Sequence, residues 1–290
     1  MSSTPASISS PTIGVFDSGF GGLTVLRELL AAVPHARYAY LGDTARLPYG
    51  SKSRETIVRY ALSSARFLHE RGAELLVIAC NTATALALDD LRAALPIPVI
   101  GVVDPGTQAA ARACPPTVHH RPDVLVLATQ ATVDSHAYAR SCDTAGLRAT
   151  EKACPLLVPL VEEGWDPDGV ATAKSTVTYD VLRIYLLEAL AQAPQAQAVL
   201  LGCTHYPLLR PAIQHTLAEL HHVMPVIDSA QATAQVVASQ LAARQLPANT
   251  HTGPAACEFY ATDSVEKFAR LGTRFLGRPI PKVNLIDLGG

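Results

Sequence analysis

The sequence predicts an α/β protein built on parallel sheets, and three observations carry that class. Short apolar runs alternate with longer segments of helical period, the pattern of buried parallel strands covered by helices. The same order of runs recurs in the second half of the chain, as a divergent duplication would leave it. Both third runs end in a cysteine, Cys80 in the first half and Cys203 in the second.

Residues 13–16 read as the first strand. Gly21 and Gly22 then open a helix whose apolar stripe is Leu23, Leu26, Leu30 and Val33, and Pro34 closes it. Residues 38–41 form the second strand. After the loop GDTARLPYGS, the segment from Ser53 carries Ile57, Ala61, Ala65 and Leu68 at helical spacing. A third strand spans 75–79, a helix runs to about Ala94, and 99–103 is strand four. In the second half the strands are 124–128, a weaker one at 147–152, 199–202 and 223–227, with helical segments at 133–144, 169–192 and 207–220. Matching strand starts gives offsets of 111, 109, 124 and 124 residues, so the stretch between second and third strands is longer in the second half.

The chain has 290 residues, 49% of them hydrophobic and 17% charged, enough apolar material for one large or two mid-sized domains. A formal net charge of -2 supplies no basic field for nucleic acid or an anionic membrane. The longest apolar runs, such as 75–80, are far too short to cross a bilayer. The first eleven residues, MSSTPASISSP, lack the basic and apolar regions of an export signal and read as a disordered tail on a cytoplasmic protein. Of the six cysteines no two form a CxxC pair, so reduced individual thiols are expected rather than a disulfide framework.

In open parallel sheets ligands bind beyond the carboxyl ends of the strands, where Asp17, Asp43, Cys80, Thr129 and Cys203 all fall. A cysteine at a strand end is commonly a small buried hydrophobe, and that reading suits Cys114, Cys142, Cys154 and Cys257. Cys80 and Cys203 differ, since each precedes hydrogen-bonding residues where a helix begins, a position that stabilises a thiolate and receives carboxylates. DSGFGG, residues 17–22, is a glycine-rich turn, but it is neither GxGxxG nor a phosphate loop with its lysine. It reads either as a tight structural turn capped by Asp17 or Ser18, or as a carboxylate placed to orient or deprotonate a neighbouring thiol. The PYGS loop, residues 48–51, reads either as a plain loop before a helix or as free amides that suit a small carboxylate. His205 reads as a structural residue, as the acid/base partner of Cys203, or, ranked last for want of a fourth ligand, as a metal ligand with both cysteines.

These residues make the chain recognisable. VFDSGFGGLTVLREL, YLGDTARLPYGSKS, VIACNTATALAL, VIGVVDPG, LATQATVDSHAY, ACPLLVPLVEEG and LGCTHYPLLRP, in that order, resemble the glutamate racemases of the aspartate/glutamate racemase family over nearly the whole chain after the tail. The resemblance implies two similar α/β domains with the site in the cleft between them. It implies a cofactor-independent, metal-free amino-acid racemase supplying D-glutamate for peptidoglycan synthesis. It also implies that the domains exchange their fourth strands, with 1–98 and 222–290 forming the first domain and 99–221 the second. The expected partner is a small-molecule substrate, glutamate, with no nucleic acid and no membrane, and a homodimer is compatible with it.

Inverting a stereocentre by proton transfer is simplest with one base on each face of the α-carbon, which accounts for two equivalent thiols. A thiolate paired with a thiol is the expected ready state, because adjacent like charges raise one of the two pKa values. The resemblance assigns Cys80 to the D-glutamate face and Cys203 to the L-glutamate face, with Asp17 supporting Cys80 and His205 or Glu162 supporting Cys203. With no pyridoxal motif to hold the carbanion, fixed donors must do so. Ser18, Asn81, Thr82 and Thr204 are the candidates, with the amides of Tyr49 and Gly50 for a carboxylate, and Thr129 and Thr132 in the matching turn of the second half. Asp17 and His205 also count among the substrate-binding residues. The alternatives are a racemase of another acidic amino acid such as aspartate, a non-catalytic amino-acid-binding protein, and a Cys-His hydrolase. The second would have lost one cysteine, and the third leaves Cys80 unexplained.

Overall fold

The computed structural model describes residues 10–117, 119, 121–165, 173–243 and 255–289. Most of the expected tail, 1–9, and the start of the segment at 169–192 lie outside the described residues. In the first half β1 (Thr12–Asp17), α1 (Leu23–Ala32), β2 (Arg37–Gly42), α2 (Arg54–Glu70), β3 (Leu75–Ile78), α3 (Asn81–Ala94), β4 (Val99–Gly101) and α4 (Val103–Ala113) alternate as the apolar runs require. In the second half β5 (Asp123–Ala128), α5 (Gln130–Asp134), α6 (Ala137–Thr144), β6 (Arg148–Ala153), α7 (Leu157–Glu162), α8 (Ala173–Gln192), β7 (Ala196–Gly202), α9 (Arg210–Glu219), β8 (Val226–Asp228) and α10 (Ser229–Ala243) repeat the pattern. A last unit, β9 (Cys257–Ala261), α11 (Val265–Leu276) and β10 (Val283–Leu285), completes the described chain.

The strands form two sheets in which every pair is parallel. One has the order β10-β9-β2-β1-β3-β4 and the other β6-β5-β7-β8. Strands β1, β3, β5 and β7 are almost wholly buried, so their sequences are continuous apolar runs. Edge strand β6 is only half-buried, which explains its weaker apolar signal.

The exchange of fourth strands is not what the sheets contain. β4 is hydrogen-bonded to β3, with Val77 opposite Ile100, and β8 to β7, with Leu200 opposite Ile227. What crosses over are the following helices: α4 packs on β7, β8 and α6, and α10 packs chiefly on α1, while the two helices also pack on each other and α10 touches both β4 and β7. The apolar run at 99–103 is therefore two elements, a three-residue strand and the first turn of α4. A single core cluster joins the sheets, containing Ile13 and Val15 of β1 together with Leu125 and Leu127 of β5 and Val199 and Leu201 of β7.

Two other segments depart from the sequence expectation. The helix at 133–144 is broken into α5 and α6 by His136, which sits in the left-handed region at φ 52°. The strand at 223–227 begins later, because Val223 is 95% exposed and faces no sheet. Among the described residues no helix is long and apolar enough to cross a membrane.

Candidate active site

The two third strands deliver their cysteines to one place. Cys80 ends β3 as the N-cap of α3 and accepts the Ala83 amide at 3.4 Å, while its thiol donates to Ser18 Oγ at 3.5 Å. Cys203 follows β7, and a 3-10 turn, Tyr206–Leu209, rather than an α-helix comes next. The thiols are 5% and 7% exposed, and charge on Cys80 is felt at Cys203. Two groups 123 positions apart in sequence thus share one electrostatic environment. All six cysteines are unpaired.

Burial pushes the Cys80 thiol up to about 11, and the neighbouring Asp17 charge adds to this. The contacts with Ser18 and Ala83 act in the opposite direction but are outweighed. Burial raises Cys203 as well, with Cys80 and Asp17 adding to the effect against a backbone hydrogen bond from His205. Desolvation exceeds the help of the helix N-terminus, so burial moves both sulfurs toward the protonated form, in the direction opposite to the expected thiolate.

A pH dependence of stability follows. An unfolded thiol titrates near ~8.5, so a folded value of about 11 for Cys80 stabilises the fold fully below that range and loses the contribution as pH rises toward 11. The urea midpoint is expected to fall between about pH 8.5 and 11, and Cys80→Ser should flatten part of that fall. An unchanged profile in the variant would contradict this.

Asp17 closes β1. One carboxylate oxygen accepts the Gly19 amide at 2.9 Å, and the other, Oδ1, is buried without a hydrogen-bond partner. Burial raises its pKa, partly offset by the Gly19 amide and by His205. A buried oxygen with a free lone pair beside a thiol can hold a cation or take a proton.

On the Cys203 side, His205 Nδ1 stands 4.0 Å from the sulfur and Nε2 is 3.1 Å from Glu162 Oε1. Burial raises the Glu162 carboxyl, but the hydrogen bond and charge of His205 and those of Lys267 outweigh it and hold it below the usual range. An ionised Glu162 accepts from Nε2–H in either charge state of the ring, and when the imidazole is neutral this hydrogen bond selects the tautomer whose Nδ1 lone pair faces the thiol. His205 and Glu162 are thus one relay. The structure joins the two helpers between which the sequence left a choice.

The hydroxyls of Thr82, Thr129 and Thr132 form a closed triangle of 2.9, 3.2 and 2.9 Å edges. Thr82 comes from α3 and the other two from the turn after β5, so the triangle spans the two sheets. Asn81 Oδ1 accepts from Tyr138 at 2.5 Å, which leaves its amide group as the donor available to a ligand. Thr204 lies against Gly21, where a Cβ would come within 2.2 Å of its hydroxyl oxygen. The Tyr49 ring does not face a ligand: its hydroxyl donates to Asp43 at 2.6 Å inside the core. Its loop still meets the second sheet, since a Cβ on Gly50 would lie 3.0 Å from that of Thr129.

Asp43, at a strand end like Asp17, has a structural task. It binds Arg46, Tyr49 and Thr262 and is fully buried. The sequence reading missed Tyr138, Gly21 and Lys267. Tyr138 closes the segment LATQATVDSHAY and Gly21 lies in DSGFGG, so both were inside segments already singled out; Lys267 lies in none. Among the described residues no group of three His, Cys, Asp or Glu side chains gathers as a metal ion would require.

Known proteins resemble this chain over almost its whole length. The glutamate racemase of Koribacter versatilis (strain Ellin345) is 48% identical over 301 aligned residues, covering 97% of this chain and 98% of that protein. The crystal structure of glutamate racemase from Francisella tularensis in complex with D-glutamate matches with a TM-score of 0.83 at 33% identity, covering 97% of this chain and 98% of its own. The glutamate racemase from Thermus thermophilus in complex with β-chloro-D-alanine matches at 0.81 and 40% identity over the same shares. The model of the Asp/Glu/Hydantoin racemase family matches residues 13–237, from the first strand into the helix after the eighth. With the strands from β1 through β8 and both cysteine turns inside that match, the chain belongs to the Asp/Glu/Hydantoin racemase family.

Proposed function

We propose that this protein interconverts L- and D-glutamate by proton transfer between two opposed cysteines, without metal or organic cofactor. One observation carries the reading: two buried thiols, on equivalent strands of two sheets, sit close enough for the charge of one to be felt by the other. Each has its own helper, Asp17 for Cys80 and the His205–Glu162 relay for Cys203.

In the L-to-D direction Cys203 passes its proton to His205 Nδ1 as the substrate's ammonium group settles beside Asp17. The thiolate then takes the α-proton: the Cα–H bond breaks, an S–H bond forms, and the electron pair stays on carbon. The Cys80 S–H bond breaks on the other face and its proton completes D-glutamate; after product leaves, His205 gives its extra proton to solvent and the Cys80 thiolate takes one back, which restores the two thiols. The reverse reaction exchanges the roles. Fixed donors hold the carbanion's charge in a site closed to water, namely Ser18, the Asn81 amide, Thr82 and Thr204. The amides of Tyr49 and Gly50 and the hydroxyls of Thr129 and Thr132 bind the carboxylates.

With both sulfurs nearly inaccessible, substrate is admitted by separation of two lobes, one on each sheet, hinged at the crossings after β4 and β8. This moves the domain boundaries by one strand from those the resemblance implies, to just beyond residues 101 and 228. On this reading the enzyme works in the cytoplasm and supplies D-glutamate for peptidoglycan synthesis.

Circular dichroism on D-glutamate, with a reductant and no cofactor, tests the reaction, with D-aspartate as the parallel arm. Signal loss on glutamate is expected, surviving chelator and dialysis and falling on thiol alkylation. Turnover of aspartate alone, or activity restored only by zinc or pyridoxal phosphate, would overturn the proposal.

A further inference from the structure

The acid–base relay behind Cys203 is not built by the second sheet alone. Glu162 ends α7, which packs with α8 and the turn after Cys203. Its other oxygen, Oε2, lies 3.3 Å from Lys267 Nζ. Lys267 belongs to α11, which packs against α1 and β10 of the first sheet. Phe268 beside it stacks edge-on to Phe20 and Tyr40. Lys267, Leu271, Arg274 and Phe275 recur at four-, three- and one-residue steps and therefore share one face of the helix. Three of them address the relay. Lys267 pairs with Glu162, Arg274 donates to the Val161 carbonyl at 3.0 Å, and the Phe275 ring stands edge-on to His205 with centroids 5.0 Å apart.

We propose that Lys267 is a positioning residue for racemisation: from the first lobe it fixes the Glu162 carboxylate, which orients His205 toward Cys203, so that docking of α11 assembles the base on the L-glutamate face. The inference rests on the two-thiol reading above. Lys267 touches neither sulfur and acts through Glu162. Its ammonium group also lies over the Phe20 ring, 5.4 Å from the centroid, so a first-sheet aromatic and Glu162 hold the same nitrogen. Lobe closure and completion of the relay are then the same event. An open lobe would leave Glu162 without its lysine, and His205 with a partner free to turn.

The loss should fall on one of two transition states. Because the enantiomers have equal free energy, kcat/KM must fall equally in both directions, so rates alone do not identify the face. Isotope effects do. If proton transfer at Cys203 slows, the primary effect with α-deuterated L-glutamate rises, whereas that with α-deuterated D-glutamate falls because removal by Cys80 becomes a faster, earlier step.

The test compares Lys267→Met and Lys267→Arg with the parental full-length protein. Lys267→Met should lower kcat about tenfold with KM within about twofold, show the opposed isotope shifts, and shift the His205 imidazole signals in NMR spectra. Lys267→Arg should restore most of the rate. A Lys267→Met variant with parental kcat and unmoved imidazole signals would overturn the inference, as would a loss confined to KM or isotope effects that change alike. A parental protein that does not racemise glutamate would overturn the underlying reading, and the inference with it. A racemising parent with an indifferent Lys267→Met variant would overturn the inference alone.

Discussion

Cys80→Ala is expected to abolish racemisation in both directions, by about a thousandfold or more, while leaving exchange of the α-proton of L-glutamate measurable. On the proposed two-thiol mechanism each direction needs both sulfurs, one to remove the proton and one to supply it on the opposite face. On that proposal the surviving Cys203, which keeps its His205–Glu162 relay, is the base for the L-enantiomer. Cys203→Ala should give the mirror result, with residual exchange confined to D-glutamate. Proton NMR in deuterated water reads both outcomes. With the intact enzyme, first-turnover product should carry deuterium at its α-carbon while recovered substrate stays largely protiated, because the delivering sulfur is not the abstracting one. Heavily deuterated early substrate, or near-parental racemisation by either variant, would show that one base serves both faces.

Gly21→Ala is expected to cost about a hundredfold in kcat/KM, the scale of a displacement of about 1 Å at the reacting groups. A Cβ at this position would lie 2.2 Å from Thr204 Oγ1 and 2.6 Å from His205 Nδ1. His205 is held by Glu162 and cannot swing aside without breaking the relay, even where Thr204 turns its hydroxyl away. The lobes must part instead. Gly50→Ala, whose Cβ would only crowd Thr129 at 3.0 Å, should lose far less. Steady-state kinetics on both variants, with melting temperatures as the folding control, decides the matter. Parental activity in Gly21→Ala would mean that the closed contact between α1 and the Cys203 turn is not used in turnover.

Much of this was legible along the chain because it is local. Parallel strands buried on both faces must be apolar throughout, so β1, β3, β5 and β7 announce themselves, and a cysteine ending two of them is visible without coordinates. Periodicity likewise marked α1 and α2, and Pro34 and Ser53 marked their limits. Short or edge elements were blurred. A three-residue strand such as β4 carries no period of its own, and its apolar run continued without a break into α4.

Only the tertiary structure decided where each fourth strand pairs, since hydrogen bonding across a sheet leaves no trace in the spacing of a single strand. It also decided the direction in which both thiols shift, toward the protonated form. A cysteine before a helix suggests a stabilised thiolate, but desolvation depends on what the other lobe covers, and here burial outweighs the helix terminus. The sequence could name His205 and Glu162 as rivals. Their separation of 43 positions closes to 3.1 Å only when α7 folds back beside the Cys203 turn, making them partners. Lys267, 105 positions beyond Glu162, was invisible for the same reason. An ion pair between lobes is set by how α11 and α7 meet, and no local pattern in either helix encodes that meeting.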